Sequence, residues 1–185
     1  RYGADGDPPG LLFAQFVRSP HAHGILRGID VSAARAAPGV HLVLTQAELD
    51  AAGYGDLPCA VPLQSRDGTP LIVPPHPSLA RDRVRYVGQP MAVVIADSQA
   101  VALDAAALIE ADIEPLPAVA DPEAALAEGA PQLFEQMPGN LALDWACGDH
   151  AAVEAAMAKA AHVTRLRIVN NRVVVAPMEA RGATA

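Results

Sequence analysis

Two histidines stand close together in Arg18-Ser19-Pro20-His21-Ala22-His23. On an extended strand, residues two apart face the same side, so His21 and His23 could in principle share a metal ion. No carboxylate or cysteine stands nearby in the sequence to complete a coordination shell. Structural hydrogen bonding at a strand end accounts for the pair more simply. A second polar element is Gly88-Gln89-Pro90. It lacks the further glycines, the Lys and the Ser or Thr of a phosphate loop, and no helix starts directly after it. A tight turn leading into a strand explains it, with Gln89 stabilising the turn through its amide. Asp104, Glu110, Asp112 and Glu114 read as a solvated helix end and strand edge. Cys59 and Cys147 lie far apart without CxxC or Cys/His spacing, which supports neither a disulfide scaffold nor a zinc or iron–sulfur site. Two free thiols suit a reducing, cytoplasmic compartment. There is no Gly-x-Ser-x-Gly element and no marked Cys–His pair. Residue chemistry alone therefore predicts no autonomous catalytic residue and no metal ligand.

The elements that must position these residues follow from patterning. Leu11 to Val17 is a short apolar run between Pro8-Pro9-Gly10 and Ser19-Pro20, as a buried strand would be. Ile25 to Ile29 and Val40 to Leu44 read as further strands, with a short Ala-rich helix between them that starts at Asp30-Val31-Ser32 and stops at Pro38-Gly39. Thr45 with Glu48 three residues on predicts a capped helix over Gln46 to Ala52. From Gly53 to Pro77 the chain is rich in Pro, Gly, Ser and Asp, and a loop this long is functional, mobile or an interface held by neighbouring domains. Met91 to Ala96 is an almost purely apolar strand. Asp97-Ser98 then opens a helix from Gln99 to about Ala111, and Ile113 to Val119 is the next strand. That order predicts helices packed on a sheet. Asp121-Pro122 and Asp149 each begin a later helix, the second running to about Ala160. His162 to Val169 alternates as a strand, before Val173-Val174-Val175.

Composition bounds the partners. The chain has 185 residues, 51% of them hydrophobic but only 4% aromatic, so the core is built from Val, Leu, Ile and Ala. Twelve of the thirteen basic residues are Arg. A net charge of −8 argues against nucleic acid and anionic membrane surfaces, which would be repelled. No apolar run approaches the length that spans a bilayer.

Three stretches together take the reading further. Arg18-Ser19-Pro20-His21-Ala22-His23, with Ile29-Asp30 and Ala36-Ala37-Pro38-Gly39-Val40, resembles the opening of the large subunit of molybdenum hydroxylases, the xanthine dehydrogenase, aldehyde oxidase and carbon monoxide dehydrogenase family. Val84-Arg85-Tyr86-Val87-Gly88-Gln89-Pro90, Val93-Val94-Ile95-Ala96-Asp97 and Glu114-Pro115-Leu116-Pro117-Ala118-Val119 resemble the middle of its α/β hammerhead domain. Asn170-Asn171-Arg172 and Pro177-Met178-Glu179-Ala180-Arg181-Gly182 resemble the start of the following molybdopterin-binding domain.

The resemblance implies an α+β fold, a mixed sheet with helices packed on it, with the hammerhead domain over residues 1–160 and the first strand of a truncated molybdopterin-binding domain over 161–185. It implies a fragment, inactive alone, of a longer subunit whose catalytic glutamate lies beyond Ala185. In that subunit a molybdopterin-type molybdenum cofactor hydroxylates a carbon centre with oxygen from water, or oxidises carbon monoxide. Electrons leave through iron–sulfur clusters to FAD on partner subunits or domains. Asn171 falls where xanthine dehydrogenase-like members carry a cofactor-adjacent glutamine. It is one methylene shorter, and its setting is closer to the carbon monoxide dehydrogenase-like branch. Arg172 and Glu179 are of opposite charge and could pair. The exposed apolar strand after His162 predicts self-association of the isolated chain. The alternative is a free-standing, non-catalytic assembly or binding module.

Overall fold

The computed structural model describes residues 6, 8–171, 173–176 and 178. These fall into two compact units: Leu11–Trp145, and the described residues of Arg1–Gly10 and Ala146–Ala185.

The larger unit holds six strands: β1 Phe13–Arg18, β2 Gly24–Asp30, β3 Val40–Thr45, β4 Arg83–Val84, β5 Pro90–Ala96 and β6 Glu110–Pro115. The helices are α1 Ser32–Ala36, α2 Gln46–Ala51, α3 Gln99–Ala106 and α4 Pro122–Ala125. One sheet has the order β1-β5-β3 and the other β4-β2-β6. Every pairing is antiparallel. The α+β class is the one expected, but its strands form two antiparallel sheets where one mixed sheet was expected. The reason lies in β5-α3-β6. The helix carries the chain from the first sheet to the second, where β6 pairs with β2 instead of returning beside β5.

Local chemistry sets most boundaries. Thr45 and Glu48 form the expected capping box, in which the Thr45 N–H donates to the Glu48 carboxylate at 2.7 Å. That bonding holds the Glu48 carboxyl down at about 2: the Thr45 hydroxyl is the largest cause, with the Thr45 N–H and Arg35 assisting against burial. Ser98, Asp121 and Asp149 cap their helices by accepting from the N–H groups of Val101, Ala124 and Ala152. The capping residue of α1 is Val31, which has no side-chain bond; Asp30 instead accepts from the Ser32 N–H at 2.9 Å.

Helix α3 stops at Ala106, short of the expected Ala111, and β6 begins earlier than expected, at Glu110. Glu110, Asp112 and Glu114 are exposed while Ala111 and Ile113 are partly buried, so tertiary pairing with β2 claims residues that propensity gave to the helix. The prolines at 115 and 117 lack N–H groups, and the ladder ends there.

One core cluster gathers Val31 and Ala34 of the α1 region, Val43, Val94 and Ala105. A second gathers Ala80, Val84 and Met91, with Val17, Leu26 and Ile113 packed against them. The loop 53–77 is irregular, with one isolated bridge between Gln64 and Pro70 around the Asp67-Gly68 turn. It was expected to depend on neighbouring domains. The tether found is internal: Arg66 N donates to Asp144 O at 2.8 Å, Ile72 N to Ala142 O at 3.0 Å, and Arg66 pairs with the Asp144 carboxylate at 2.6 Å.

The smaller unit contains α5, His150–Lys159, which buries no residue. The expected strand from His162 to Val169 has no regular structure, and Leu166, Ile168 and Val169 are 80%, 77% and 68% exposed. A strand needs a partner edge to satisfy its backbone, and no strand pairs with this segment among the described residues.

Candidate functional site

Three of the larger unit's segments that carry the family resemblance, 18–23, 84–90 and 114–119, meet in one place. The Ser19 N–H donates to the Gln89 carbonyl at 2.9 Å, and the Gly88 N–H donates back to the Ser19 carbonyl at 2.8 Å. Arg18 Nη1 adds a bond of 2.9 Å to the Gly88 carbonyl, across 70 residues of sequence. Gly88, at φ +86°, occupies the left-handed position of the turn closed by Gln89 N donating to Tyr86 O, which L side chains adopt with strain. Gln89 is buried, and its Oε1 accepts from the Arg85 N–H at 2.7 Å. Turn stabilisation, the role expected of it, is what it performs.

His23 joins the third segment. It does not lie on an extended strand beside His21, because residues 22 and 23 form a bend before β2. Its ring is buried at 4% exposure, and Nδ1 meets the Pro117 carbonyl at 2.8 Å. A carbonyl only accepts, so Nδ1 carries the proton. The Leu116 N–H donates to the His23 carbonyl at 3.0 Å, which makes the contact reciprocal. His21 is tied to Ser19 instead: its N–H donates to Ser19 Oγ at 3.0 Å, and the Ser19 hydroxyl donates to the His21 carbonyl. Next to His23, Gly24 is a position only glycine fits. A Cβ there would lie 2.6 Å from Ile113 Cγ2 and 2.9 Å from the Glu114 carbonyl.

This clasp is built of structural bonds, and its buried side chains mostly address main-chain groups. Sequence reasoning named its parts separately but missed that they touch. It also missed Asn140, at φ 56°, whose amide donates to the carbonyls of Ala125 and Pro131 while its oxygen accepts from Leu133 N. The Pro138-Gly139-Asn140 turn composition was the available signal. Arg85 was likewise unremarked. Its guanidinium stacks 4.5 Å from the Phe134 ring centre and its Nε donates to the Leu133 carbonyl; burial lowers its basicity.

Other candidates stand apart from the clasp. Asp104 is exposed on α3, whereas Glu110, Asp112 and Glu114 share the exposed face of β6, where Arg27 pairs with Glu114. Cys59 and Cys147 are free and exposed. Asn171 is exposed on irregular backbone of the smaller unit, and Arg172 and Glu179 lie outside the described residues. No cluster of three potential metal ligands occurs among the described residues. The described side chains do not by themselves form a cradle for a pterin cofactor.

Comparison with known proteins agrees with the geometry. The family described as aldehyde oxidase and xanthine dehydrogenase, a/b hammerhead domain, matches residues 1–117, ending at the residue whose carbonyl meets His23. The nicotine 6-hydroxylase large subunit of Paenarthrobacter nicotinovorans is 38% identical over all of this chain and 22% of its own length. The carbon monoxide dehydrogenase large chain of Afipia carboxidovorans is 36% identical over 96% of this chain and 22% of its own. The crystal structure of a Cu,Mo-CO dehydrogenase in its carbon monoxide reduced state superposes with a TM-score of 0.70 at 34% identity, covering 88% of this chain and 20% of that one. Quinoline 2-oxidoreductase from Pseudomonas putida 86 gives 0.64 at 40% identity, covering 72% and 16%. The chain thus spans about a fifth of the length of these relatives. It belongs to the aldehyde oxidase and xanthine dehydrogenase family, and its residues 1–117 match that family's α/β hammerhead domain.

Proposed function

We propose that this chain is the N-terminal portion of the molybdenum-cofactor-bearing large subunit of a cytoplasmic hydroxylase, and that alone it is a scaffold without activity. The observation that carries the reading is the clasp. Three separated motifs of the family converge there on main-chain bonds, in a unit that presents no enclosed reactive centre among its described residues. In a whole subunit, a bound molybdenum cofactor would supply the redox chemistry by which a carbon centre gains oxygen from water or carbon monoxide is oxidised. Iron–sulfur and FAD partners, as subunits or domains, carry the electrons away.

Asn171 belongs to the segment that enters the cofactor-bearing domain and would contact the cofactor there. The proposed domain boundary lies between residues 160 and 161. Similarity to nicotine and carbon monoxide enzymes favours their branch, in keeping with the Asn170-Asn171-Arg172 context. In the isolated chain, the uncovered apolar segment after His162 promotes self-association.

Metal analysis of the purified 185-residue chain, with acceptor-reduction assays on purines, aldehydes, N-heterocycles and carbon monoxide, tests the reading. We expect no stoichiometric molybdenum and no turnover. About one molybdenum per chain would overturn the scaffold role.

A further inference from the structure

His23 differs from the other polar side chains buried among the described residues, which are Ser19, Thr45, Gln46 and Gln89. Hydroxyls and amides take no proton in the ordinary pH range, whereas an imidazole does. Gln46 Oε1 accepts from the Leu79 N–H at 2.9 Å, and Gln89 Oε1 from the Arg85 N–H. The His23 ring is bonded on one side only. Nδ1 donates to the Pro117 carbonyl, whereas Nε2 is buried and meets no hydrogen-bonding group among the described residues. Charged and titratable groups stand on the segments that pack around His23, and none offers Nε2 an acceptor. On β6, Glu114 pairs with Arg27. On and beside β4, Arg83 pairs with Glu135, while Arg85, which feels the charge of Asp82, donates to the Leu133 carbonyl. Ahead of β2, Arg18 bonds the Gly88 carbonyl, and the main chain of His21 bonds Ser19.

We propose that His23 is a proton-sensitive lock on the clasp: its neutral ring holds the tail after β6 against β2, and a protonated ring releases it. Protonation strengthens the bond to Pro117, because a charged donor binds a carbonyl more tightly. It also encloses a positive charge and leaves a donor on Nε2 without an acceptor. Burying an uncompensated charge costs more than one hydrogen bond returns. The ring escapes that cost only by turning Nε2 into water. Turning breaks the Nδ1 bond and frees the tail that the Leu116-to-His23 bond fastens. Gly24, packed against Ile113 and the Glu114 carbonyl, leaves β2 little room to shift, so the tail is the part that moves. The unfolded chain takes up a proton on this ring below about pH 6.5, and the closed clasp does not. Stability from the lock is therefore complete above that pH and is lost as acid is added.

Urea unfolding of the 185-residue chain and its His23→Asn variant, at about pH 7.5 and about pH 5.5, tests the lock. The Asn amide can donate to Pro117 but takes no proton. Between the two conditions, the unfolding equilibrium constant of the parent should rise about tenfold more than that of the variant. An equal rise in both, or a larger one in the variant, overturns the proposal. Where the variant does not fold, the parent decides alone. Long-range proton–nitrogen NMR spectra of the assigned His23 ring should show a single proton, on Nδ1, under both conditions in the folded chain. A folded chain with protons on both ring nitrogens at the lower pH defeats the lock, as does a proton on Nε2 alone at the higher.

Discussion

β5 and the segment from Val163 to Val175 are made of similar residues and have opposite fates. Met91-Ala92-Val93-Val94-Ile95-Ala96 is paired on both edges, by β1 and β3, and Met91, Ala92, Val94 and Ala96 are buried. Val173, Val174 and Val175 are 78%, 91% and 83% exposed on irregular backbone. Intrinsic β-preference is equal or better in the second, so preference does not decide the outcome. Partner edges and a covering layer do. The first region is complete in itself. The second is a strand in composition whose structural context is not supplied by the residues described.

The comparison is broken most strongly at Gly24. Gly24→Val drives a branched side chain into Ile113 and the Glu114 carbonyl, severing β2 from β6. We expect a loss of about 3 kcal/mol or more in urea denaturation. A loss below 1 kcal/mol would show that the two strands separate without consequence. Next is His23→Ala, which removes the buried ring that donates to the Pro117 carbonyl and opens a cavity. We expect a cost of about 2 kcal/mol, read in the same way.

Glu48→Gln comes third, at about 1 kcal/mol near neutral pH, because the capping box is weakened. Its pH dependence has a fixed sign. The Glu48 carboxyl is lowered from 4.5 to about 2 in the fold, so its stabilisation is complete above 4.5 and disappears as pH falls towards 2. The gap between variant and parent in thermal melts should therefore close across that window. A constant gap would remove the charge from the explanation. Smallest is Val174→Asp in the exposed segment. Unfolding of the larger unit should shift by less than about 0.5 kcal/mol, while any association seen by sedimentation weakens. A large destabilisation would mean that the segment is core.

What the sequence revealed, and what it hid, divides along the same line. Local chemistry was legible: the Thr45–Glu48 box, the caps at Ser98, Asp121 and Asp149, and the Gly88 turn all depend on residues within a few positions. The boundary between α3 and β6 was not, because the pairing with β2 that makes Glu110–Pro115 a strand is remote in sequence. The clasp was hidden for a related reason. Arg18 and Gly88, or His23 and Pro117, carry no mark of each other in one sequence, and the fold alone brings them together. Likewise the bonds of the loop 53–77 to Ala142 and Asp144 were not legible, because those residues are remote in sequence.

The central claim is that residues 1–160 fold without the segment that follows, which belongs structurally to a cofactor-bearing domain. Deleting residues 162–185 tests it directly, with circular dichroism and sedimentation as readouts. The account predicts a soluble, cooperatively unfolding product, more monomeric than the parent chain. An unfolded or insoluble product would contradict it, showing that the segment is part of the core and that the boundary lies elsewhere.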